Sequence, residues 1–109
     1  MKRVIIISPY SGETEEEIKK NVAYAEICML DSLNRDEAPF LSHLLYTRVL
    51  DDKNPNERKL GIKSGHEWFY CADYCVVYED LGISEGMKED IKQADKCCIQ
   101  IQYRKLYVK

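Results

Sequence analysis

Two short apolar runs, each followed by a turn and a helical pattern, limit what this chain can fold into more than any other feature. Residues 3–8 form an unbroken run rich in β-branched side chains, and residues 74–78 form a second one. A strand with one face in water alternates apolar and polar residues, whereas an unbroken run is typical of a strand that is covered on both faces. The sequence therefore predicts buried strands of a parallel sheet between layers of helices.

Helical patterns separate the predicted strands. Thr14, with Glu17 three residues later, is typical of a helix start. The stripe that should face the core of this first helix consists of Ile18, Val22, Ala25, Met29 and Leu33. The predicted strands cover residues 3–8, 38–42, 74–78 and 97–102, and the predicted helices cover 14–34, 57–71 and 84–94. Residues 43–50 remain open between a loop and a helical turn, and residues 51–56 are predicted to be a loop. Because strands alternate with helices, we expect a flavodoxin-like three-layer α/β sandwich with a four- or five-stranded parallel sheet.

Length and charge exclude several classes of protein. The chain has 109 residues, enough for one domain (1–109) with one core. No apolar run approaches the roughly 20 residues that span a bilayer, and the apolar start is too short for a signal peptide. We therefore expect a cytoplasmic protein, located in the cytosol of a bacterial host if a phage encodes it. The net charge is −3, and lysines and arginines are interleaved with acids. No membrane and no nucleic-acid polymer is predicted as a partner.

The five cysteines do not form a recognisable metal site. They include no Cys-x-x-Cys pair, and the two histidines are not spaced to complete a zinc site. Four of the five lie in predicted core segments, where a thiol behaves as a small apolar group. The sequence therefore predicts reduced structural cysteines, and neither a metal nor a cofactor.

The stretch after the third predicted strand has the pattern of an anion site. Ser84 is placed to begin a helix beyond the carboxyl end of a buried strand, and Gly86 leaves the backbone uncovered. The N–H groups at such a helix start bind phosphate, so Ser84, Gly86 and Met87 are predicted phosphate ligands. Asp90 follows Gly86 by four residues and shares its helix face. The alternative is a capped surface helix with a solvated carboxylate.

Two other loops should reach the same edge of the sheet. Pro9, Tyr10, Ser11 and Gly12 follow the first strand, and His43 follows the second. Ligands bind at this edge in open α/β sheets, so all five are predicted to line a ligand site. The Tyr10 ring could stack on a base or sugar. For Gly12 a plain turn, and for His43 a satisfied, partly buried ring, remain the alternatives.

These segments together resemble the nucleoside 2-deoxyribosyltransferase-like superfamily, in particular its small phage and prophage members. The resemblance rests on residues 4–12 with the acid-led helix after them, on residues 38–47, and on residues 84–87. It implies cleavage or transfer at the N-glycosidic bond of deoxynucleosides or their 5′-monophosphates. It also implies a small-molecule nucleotide ligand and a homo-oligomer, a dimer or a larger ring.

The resemblance assigns roles to individual residues. Asp90 corresponds to the glutamate nucleophile, Tyr10 to the tyrosine that positions it, and Ser84 to the serine that binds a 5′-phosphate in monophosphate hydrolases. The sequence departs from the family twice. Asp90 is one methylene shorter than glutamate, and Gly65 occupies the position of the aspartate that helps to protonate the departing base.

Three hypotheses follow from the sequence. The first is an enzyme that acts on a (deoxy)nucleoside 5′-phosphate. The second is a phage protein without catalysis that sequesters a nucleotide or an ADP-ribose-type signal, and the third is an interaction domain with a vestigial cleft. The consecutive aromatic residues 68–70 cannot all face one core, so at least one should be exposed or buried by a partner chain. The tail 103–107 is a candidate to close a neighbour's site, and a dimer is the expected state.

Overall fold

One four-stranded parallel sheet organises the protein. A computed structural model describes residues 1–107. Its main elements are β1 (Lys2–Ile7), α1 (Glu15–Asn34), β2 (Glu37–Phe40), α2 (Pro55–Glu67), β3 (Tyr74–Tyr78), α3 (Glu85–Lys96) and β4 (Ile101–Arg104). Short 3-10 segments cover Ser42–Leu44, Tyr46–Arg48 and Trp68–Cys71. The strand order is β2-β1-β3-β4, and every neighbouring pair is parallel. The predicted flavodoxin-like α/β fold with four strands is confirmed.

Both faces of the sheet are covered, as the unbroken apolar runs predict. Val4 and Ile6 of β1 point to one face and pack with α1. Ile5 and Ile7 point to the other face and pack with α3 and with Phe69 of the 3-10 segment after α2. Successive side chains of a strand alternate between faces, so the part of a strand that lies between two layers, residues 4–7 in β1, is apolar at every position. Among residues 1–107, no helix combines the length and the apolar character needed to cross a bilayer.

The face of α1 that packs on the sheet is rotated from the predicted one. The buried residues are Tyr24, Ala25, Cys28 and Ser32, whereas Leu33 is 51% exposed. Ser32 takes the inner position because its hydroxyl donates to the buried carboxylate of Glu37, at 2.8 Å. The apolar spacing alone carried no sign of this polar contact.

Helix α2 begins inside the segment 51–56, which was predicted to be a loop. The Asn54 side chain accepts hydrogen bonds from the N–H groups of Asn56 and Glu57, and Pro55 is the first helical residue. An Asn cap followed by Pro is a strong start signal because proline lacks the N–H that would remain unpaired there. The helix therefore begins two residues before its predicted start and ends in the 3-10 segment Trp68–Cys71.

The last strand begins four residues later than predicted. Helix α3 ends at Lys96 with Cys97 as its C-cap. Cys98 has a left-handed backbone with φ of 56°, so the chain turns before it becomes extended at Ile101. The cysteine prediction changes accordingly. Cys28 and Cys75 are buried, whereas Cys98 is exposed. Cys71 is also exposed, because it lies in a 3-10 segment rather than in a core helix.

A buried ion pair links β2 to β4. The guanidinium of Arg104 donates two hydrogen bonds to the carboxylate of Glu37, at 2.7 and 2.9 Å, and Tyr74 and Ser32 donate to the same carboxylate. The side chains of Glu37 and Arg104 are only 6% and 10% exposed. The hydrogen bonds from Arg104, reinforced by those from Tyr74 and Ser32, lower the pKa of Glu37 to about 2.

The segment after β4 is held by the chain's own residues. Asp80 accepts hydrogen bonds from the N–H groups of Leu106 and Tyr107, and the hydroxyl of Tyr24 donates to it at 2.5 Å. Arg104 and the backbone N–H of Leu106 therefore make contacts within their own chain, and the role of this tail in a neighbour's site stays a prediction. Tyr103 and Tyr107 remain exposed.

The consecutive aromatic residues point in different directions, as expected. Phe69 is buried, Trp68 is 47% exposed and Tyr70 is 70% exposed. The Trp68 ring stacks on Phe40 with centroids 5.2 Å apart, and its N–H donates to the hydroxyl of Tyr46. Tyr70 is thus the one of the three that lies most in solvent.

Candidate functional site

A cavity of about 550 Å³ lies at the carboxyl edge of the sheet, where it is lined by the end of β1, by Phe40 of β2 and by the start of α3, the helix that follows β3. The strand order reverses between β1 and β3, and in open α/β sheets ligands bind at such a point. The wall is formed by the loop after β1, the 3-10 segments after β2, helix α2 and the start of α3. Of the residues predicted from the sequence, those that line this cavity are Tyr10, Ser11, His43, Ser84, Gly86, Met87 and Asp90.

Two predicted ligand residues lie outside the cavity lining. Pro9 and Gly12 belong to the same loop as Tyr10, but neither lines the cavity. A Cβ on Gly12 would lie 2.6 Å from the Cβ of Glu17, so the missing side chain makes room for that glutamate. The carboxylate of Glu17 in turn accepts from the N–H of Glu13. The absence of a side chain at position 12 is therefore accounted for by its close packing against α1.

The start of α3 presents free donors to the cavity. The Ser84 hydroxyl oxygen accepts from the N–H of Met87 at 3.3 Å, and the Ser84 carbonyl accepts from the N–H of Lys88 at 3.0 Å. The N–H groups of Glu85 and Gly86 have no partner within the helix, as in any first turn. Met87 contributes a buried side chain, and its N–H is already engaged. The donors for an anion are therefore the Ser84 hydroxyl and the N–H groups of Glu85 and Gly86.

Gly86 leaves open space at this helix start. A Cβ built there would meet no atom nearer than the Ser84 Oγ, at 4.0 Å. Its backbone has an ordinary helical conformation, so glycine is not required for the turn. The absence of a side chain keeps the cavity wall clear beside the free N–H groups.

Asp90 lies against a histidine of the neighbouring helix. The Nε2 atom of His66 in α2 is 2.8 Å from the Oδ1 atom of Asp90 in α3, and each side chain is about one-fifth exposed. The His66 ring also packs edge-on against Phe69, with centroids 5.2 Å apart. No local pattern in the sequence predicts this contact, because it joins residues 24 apart on two different helices.

His43 and Tyr10 form the opposite wall. Their rings stack with centroids 5.3 Å apart, and His43 Nε2 donates to the carbonyl oxygen of Ser8 at 3.1 Å. Burial lowers the pKa of His43, and the carboxylate of Asp90 opposes that change. The neutral ring is therefore favoured, which suits stacking against an uncharged group.

Ser8 brings an unpaired polar atom to the cavity wall. Its side chain is fully buried at the end of β1, and its Oγ is the one buried side-chain polar atom without a hydrogen-bond partner among residues 1–107. Buried polar groups are nearly always hydrogen-bonded, so this hydroxyl marks a place where the polar groups are incompletely satisfied.

A charged cluster borders the mouth of the cavity. The guanidinium of Arg58 donates to the carboxylate of Asp52 at 2.6 Å and to the hydroxyl of Ser11 at 2.8 Å. Asp52 lies in the predicted loop 51–56, and its carboxylate is ion-paired with Arg58. Arg58 is the sole lysine or arginine in the described lining, and the acids of the lining are Asp52, Glu57, Glu85, Glu89 and Asp90. An anion must therefore rely mainly on hydrogen-bond donors.

Gly65 packs closely against Ser42. A Cβ at this position would lie 3.0 Å from the Cβ and 3.1 Å from the Oγ of Ser42. Helix α2 thus approaches the 3-10 segment after β2 too closely for a larger residue without movement. The aspartate that the resemblance implies at this position would have to displace Ser42.

Comparison with known proteins supports the fold. No match is found among curated proteins. Among solved structures, the 2-deoxyribosyltransferase of the psychrotolerant bacterium Bacillus psychrosaccharolyticus, described as a biocatalyst for nucleoside synthesis, superimposes with a TM-score of 0.66. The alignment covers 94% of this chain and 72% of that chain at 16% sequence identity. At this identity the similarity establishes a common fold.

The sequence also matches one family over almost its whole length. Residues 2–104 fit the sequence model of a family described as a domain of unknown function (DUF7768). The matched region includes every strand and helix described above and the whole lining of the cavity. The chain therefore belongs to the DUF7768 family.

Proposed function

We propose that this protein cleaves the N-glycosidic bond of a (deoxy)nucleoside 5′-monophosphate. The observation that carries the proposal is the pairing of a carboxylate with an anion-binding helix start inside one cavity. Asp90 and Gly86 are one turn apart on α3, about 6 Å along the helix axis. This spacing is comparable to the span from a 5′-phosphate across a sugar ring to its anomeric carbon.

Asp90 has the chemistry of a nucleophile in this arrangement. Its Oδ1 accepts a hydrogen bond from His66, and no described residue donates to Oδ2. In the first step, Oδ2 bonds to C1′ while the C1′–N bond breaks, and the departing base takes a proton from solvent. In the second, water bonds to C1′, the C1′–Oδ2 bond breaks and a proton returns to solvent. A covalent intermediate splits one difficult displacement into two easier ones.

The donors at the start of α3 favour a single phosphate. The Ser84 hydroxyl and the N–H groups of Glu85 and Gly86 supply hydrogen bonds, and the helix dipole adds positive potential. With five acids and one arginine in the described lining, a polyphosphate would meet strong repulsion. A monophosphate, bound by backbone donors, is therefore the preferred ligand over either a polyphosphate or a free nucleoside. Tyr10, stacked on His43, supports the sugar side of the cavity.

A binding protein without catalysis is the second candidate. Asp90 is shorter than glutamate, and a shortfall of about 1 Å can cost on the order of 100-fold in rate. Gly65 supplies no acid, and a side chain at this position would have to displace Ser42. These two features favour a protein that holds an intact nucleotide or an ADP-ribose-type signal and releases it unchanged.

One experiment separates the two candidates. The protein is incubated with nucleoside monophosphates, NAD and cyclic ADP-ribose compounds, and each mixture is chromatographed before and after heat denaturation. Released base supports the enzyme, and intact ligand recovered only after denaturation supports the sequestering protein. If neither released base nor intact ligand is found, both proposals are contradicted, and the hypothesis of an interaction domain with a vestigial cleft remains.

The phosphate assignment has its own test. Ser84→Asp places a negative charge at the cap of α3, and it should weaken a monophosphate far more than the corresponding nucleoside. Asn54→Asp is the matched control because it adds the same charge at the cap of α2, outside the cavity lining. Titration calorimetry with both ligands decides the matter. Equal losses for monophosphate and nucleoside in Ser84→Asp would refute the assignment.

Self-association completes the proposal. Tyr70 and Trp68 are exposed beside the cavity wall, and a homodimer would cover them. Light scattering at micromolar concentration should give twice the chain mass of 12.8 kDa. A monomer mass would contradict the dimer without affecting the proposed reaction.

A further inference from the structure

We propose that His66 is a positioning residue that makes the second half of the reaction possible. The proposal rests on the proposed function, in which Asp90 forms a covalent bond to the sugar. It is carried by the 2.8 Å contact between His66 Nε2 and Asp90 Oδ1. An ionised carboxylate can only accept, so Nε2 carries the hydrogen of this bond.

The contact divides the work between the two carboxylate oxygens. Because Oδ1 is held by His66, Oδ2 is the oxygen available to attack C1′. The same bond fixes the rotation of the carboxylate, since His66 is itself packed edge-on against the buried ring of Phe69. A short side chain gains most from such a restraint because it has least freedom to correct a wrong angle. Positioning of this kind accounts for a large part of many enzymatic rates.

The hydrogen bond acts in opposite directions in the two steps. In the first step Asp90 loses its negative charge as Oδ2 bonds to C1′, so a donor on Oδ1 gives the transition state no advantage from charge. In the second step the C1′–Oδ2 bond breaks, its electron pair returns to Asp90, and negative charge spreads onto Oδ1. A donor placed where charge develops stabilises that transition state. His66 is therefore expected to speed the release of sugar from the enzyme more than its capture.

Helix α2 offers no other donor for this role. In the described residues, the Asp90 carboxylate receives a hydrogen bond from His66 alone. Gly65, the neighbouring residue on α2, has no side chain and abuts Ser42. Glu67 is exposed on α2, and its carboxylate, when ionised, can only accept hydrogen bonds. Helix α2 thus provides a single side chain that donates to the nucleophile.

Two variants test the inference, one that keeps the aromatic ring of His66 and one that keeps its hydrogen-bond donor. His66→Phe keeps an aromatic ring against Phe69 and removes the donor, whereas His66→Gln keeps an N–H donor and removes the ring. Each is incubated with a deoxynucleoside 5′-monophosphate, quenched with acid and measured by intact-protein mass spectrometry. Base release is followed by chromatography in the same samples, and thermal unfolding establishes that each variant is folded.

We expect His66→Phe to accumulate the sugar-phosphate adduct and to lose about 10- to 100-fold in turnover, with a lower KM as the covalent enzyme builds up. His66→Gln should recover most of the turnover and show little adduct. The inference is overturned if His66→Phe turns over slowly without accumulating adduct, or if the folded glutamine variant is no better than phenylalanine. Failure of the proposed function looks different, because the wild-type protein itself would then release no base.

Discussion

Two buried or half-buried carboxylates show how differently this chain uses the same chemical group. Glu37, on the α1 face of the sheet, accepts two hydrogen bonds from Arg104 and one each from Tyr74 and Ser32. Asp90, between the helices on the other face, accepts one hydrogen bond from His66. The first carboxylate has no capacity left for a ligand, whereas the second has a free oxygen at a cavity. The number of unused acceptor sites separates an acid that stabilises the fold from one that is available for chemistry.

The largest expected effect is on turnover. Asp90→Asn removes the charge and the nucleophilicity of the Asp90 side chain but keeps an oxygen that can accept a hydrogen bond from His66. We expect base release to fall on the order of 10,000-fold, or about 5.5 kcal/mol in activation free energy. Ligand affinity and thermal stability should change little. Asp90→Glu serves as the companion variant, and it should raise turnover by lengthening the reach. Normal base release by Asp90→Asn would exclude Asp90 as the nucleophile.

The next effect is on the free energy of unfolding and concerns Glu37, the carboxylate whose acceptor sites are all used. Arg104→Met leaves Glu37 buried without its cation, and removal of one partner of a buried pair costs about 3–5 kcal/mol. The double variant Glu37→Gln/Arg104→Met removes both charges and should recover most of that loss. Urea unfolding of the wild-type protein and the two variants measures the difference. A double variant as unstable as Arg104→Met would show that packing, rather than charge, dominates this site.

Acid should weaken the fold through the same residue. The pKa of Glu37 is lowered in the folded protein from 4.5 to about 2. Its contribution to the unfolding free energy is therefore complete above pH 4.5 and is lost as the pH falls towards 2. The loss over this range is roughly 3 kcal/mol. Chemical unfolding at a series of pH values should show this slope in the wild-type protein and much less of it in Arg104→Met. Equal slopes in the two proteins would assign the acid sensitivity to other groups.

A smaller effect separates binding from stability at the start of α3. Gly86→Ala adds one methyl group in open space, so the helix should become more stable by about 0.5–1 kcal/mol. The same methyl group narrows the approach to the free N–H groups, and monophosphate affinity should fall by about 10-fold, or 1.4 kcal/mol. Thermal unfolding and titration calorimetry measure the two quantities. A variant that is more stable and binds as tightly as the wild-type protein would show that the ligand does not approach this wall.

The smallest effect compares two buried serines. Ser32 donates to the Glu37 carboxylate, whereas the Ser8 hydroxyl has no partner in the described residues. Ser32→Ala should lower the unfolding free energy by about 1.5–3 kcal/mol, and Ser8→Ala should leave it within about 1 kcal/mol or raise it. Denaturant unfolding of both variants is sufficient. A large loss in Ser8→Ala would show that its hydroxyl is satisfied by an ordered water.

Local patterns predicted what depends on neighbouring residues. The unbroken run at 74–78 is a strand with those bounds, and Thr14 and Ser84 are both helix caps. These features follow from side chains within four residues of one another, which a sequence displays directly. The placement of the cavity also followed, because parallel strands bring their carboxyl ends to one edge.

Contacts between distant residues account for what the sequence did not reveal. Glu37 and Arg104 are 67 residues apart, and His66 and Asp90 are 24 apart. Whether an acid lies in solvent, in an ion pair or beside a cavity depends on which elements pack together, and periodicity does not encode that choice. The same reason applies to the rotated face of α1, since the buried Ser32 donates to Glu37 at the start of β2.

The hydrogen bonds to Asp80 have a consequence for the speed of ligand binding. Asp80 fastens the loop before α3 to Tyr24 of α1 and to the backbone after β4. The donors at Ser84 therefore occupy their positions before any ligand arrives. Association slows when a site must first rearrange, and a site that is already formed avoids that delay. Encounter with the start of α3 should therefore be limited by diffusion and orientation, and monophosphates should bind in a single kinetic phase.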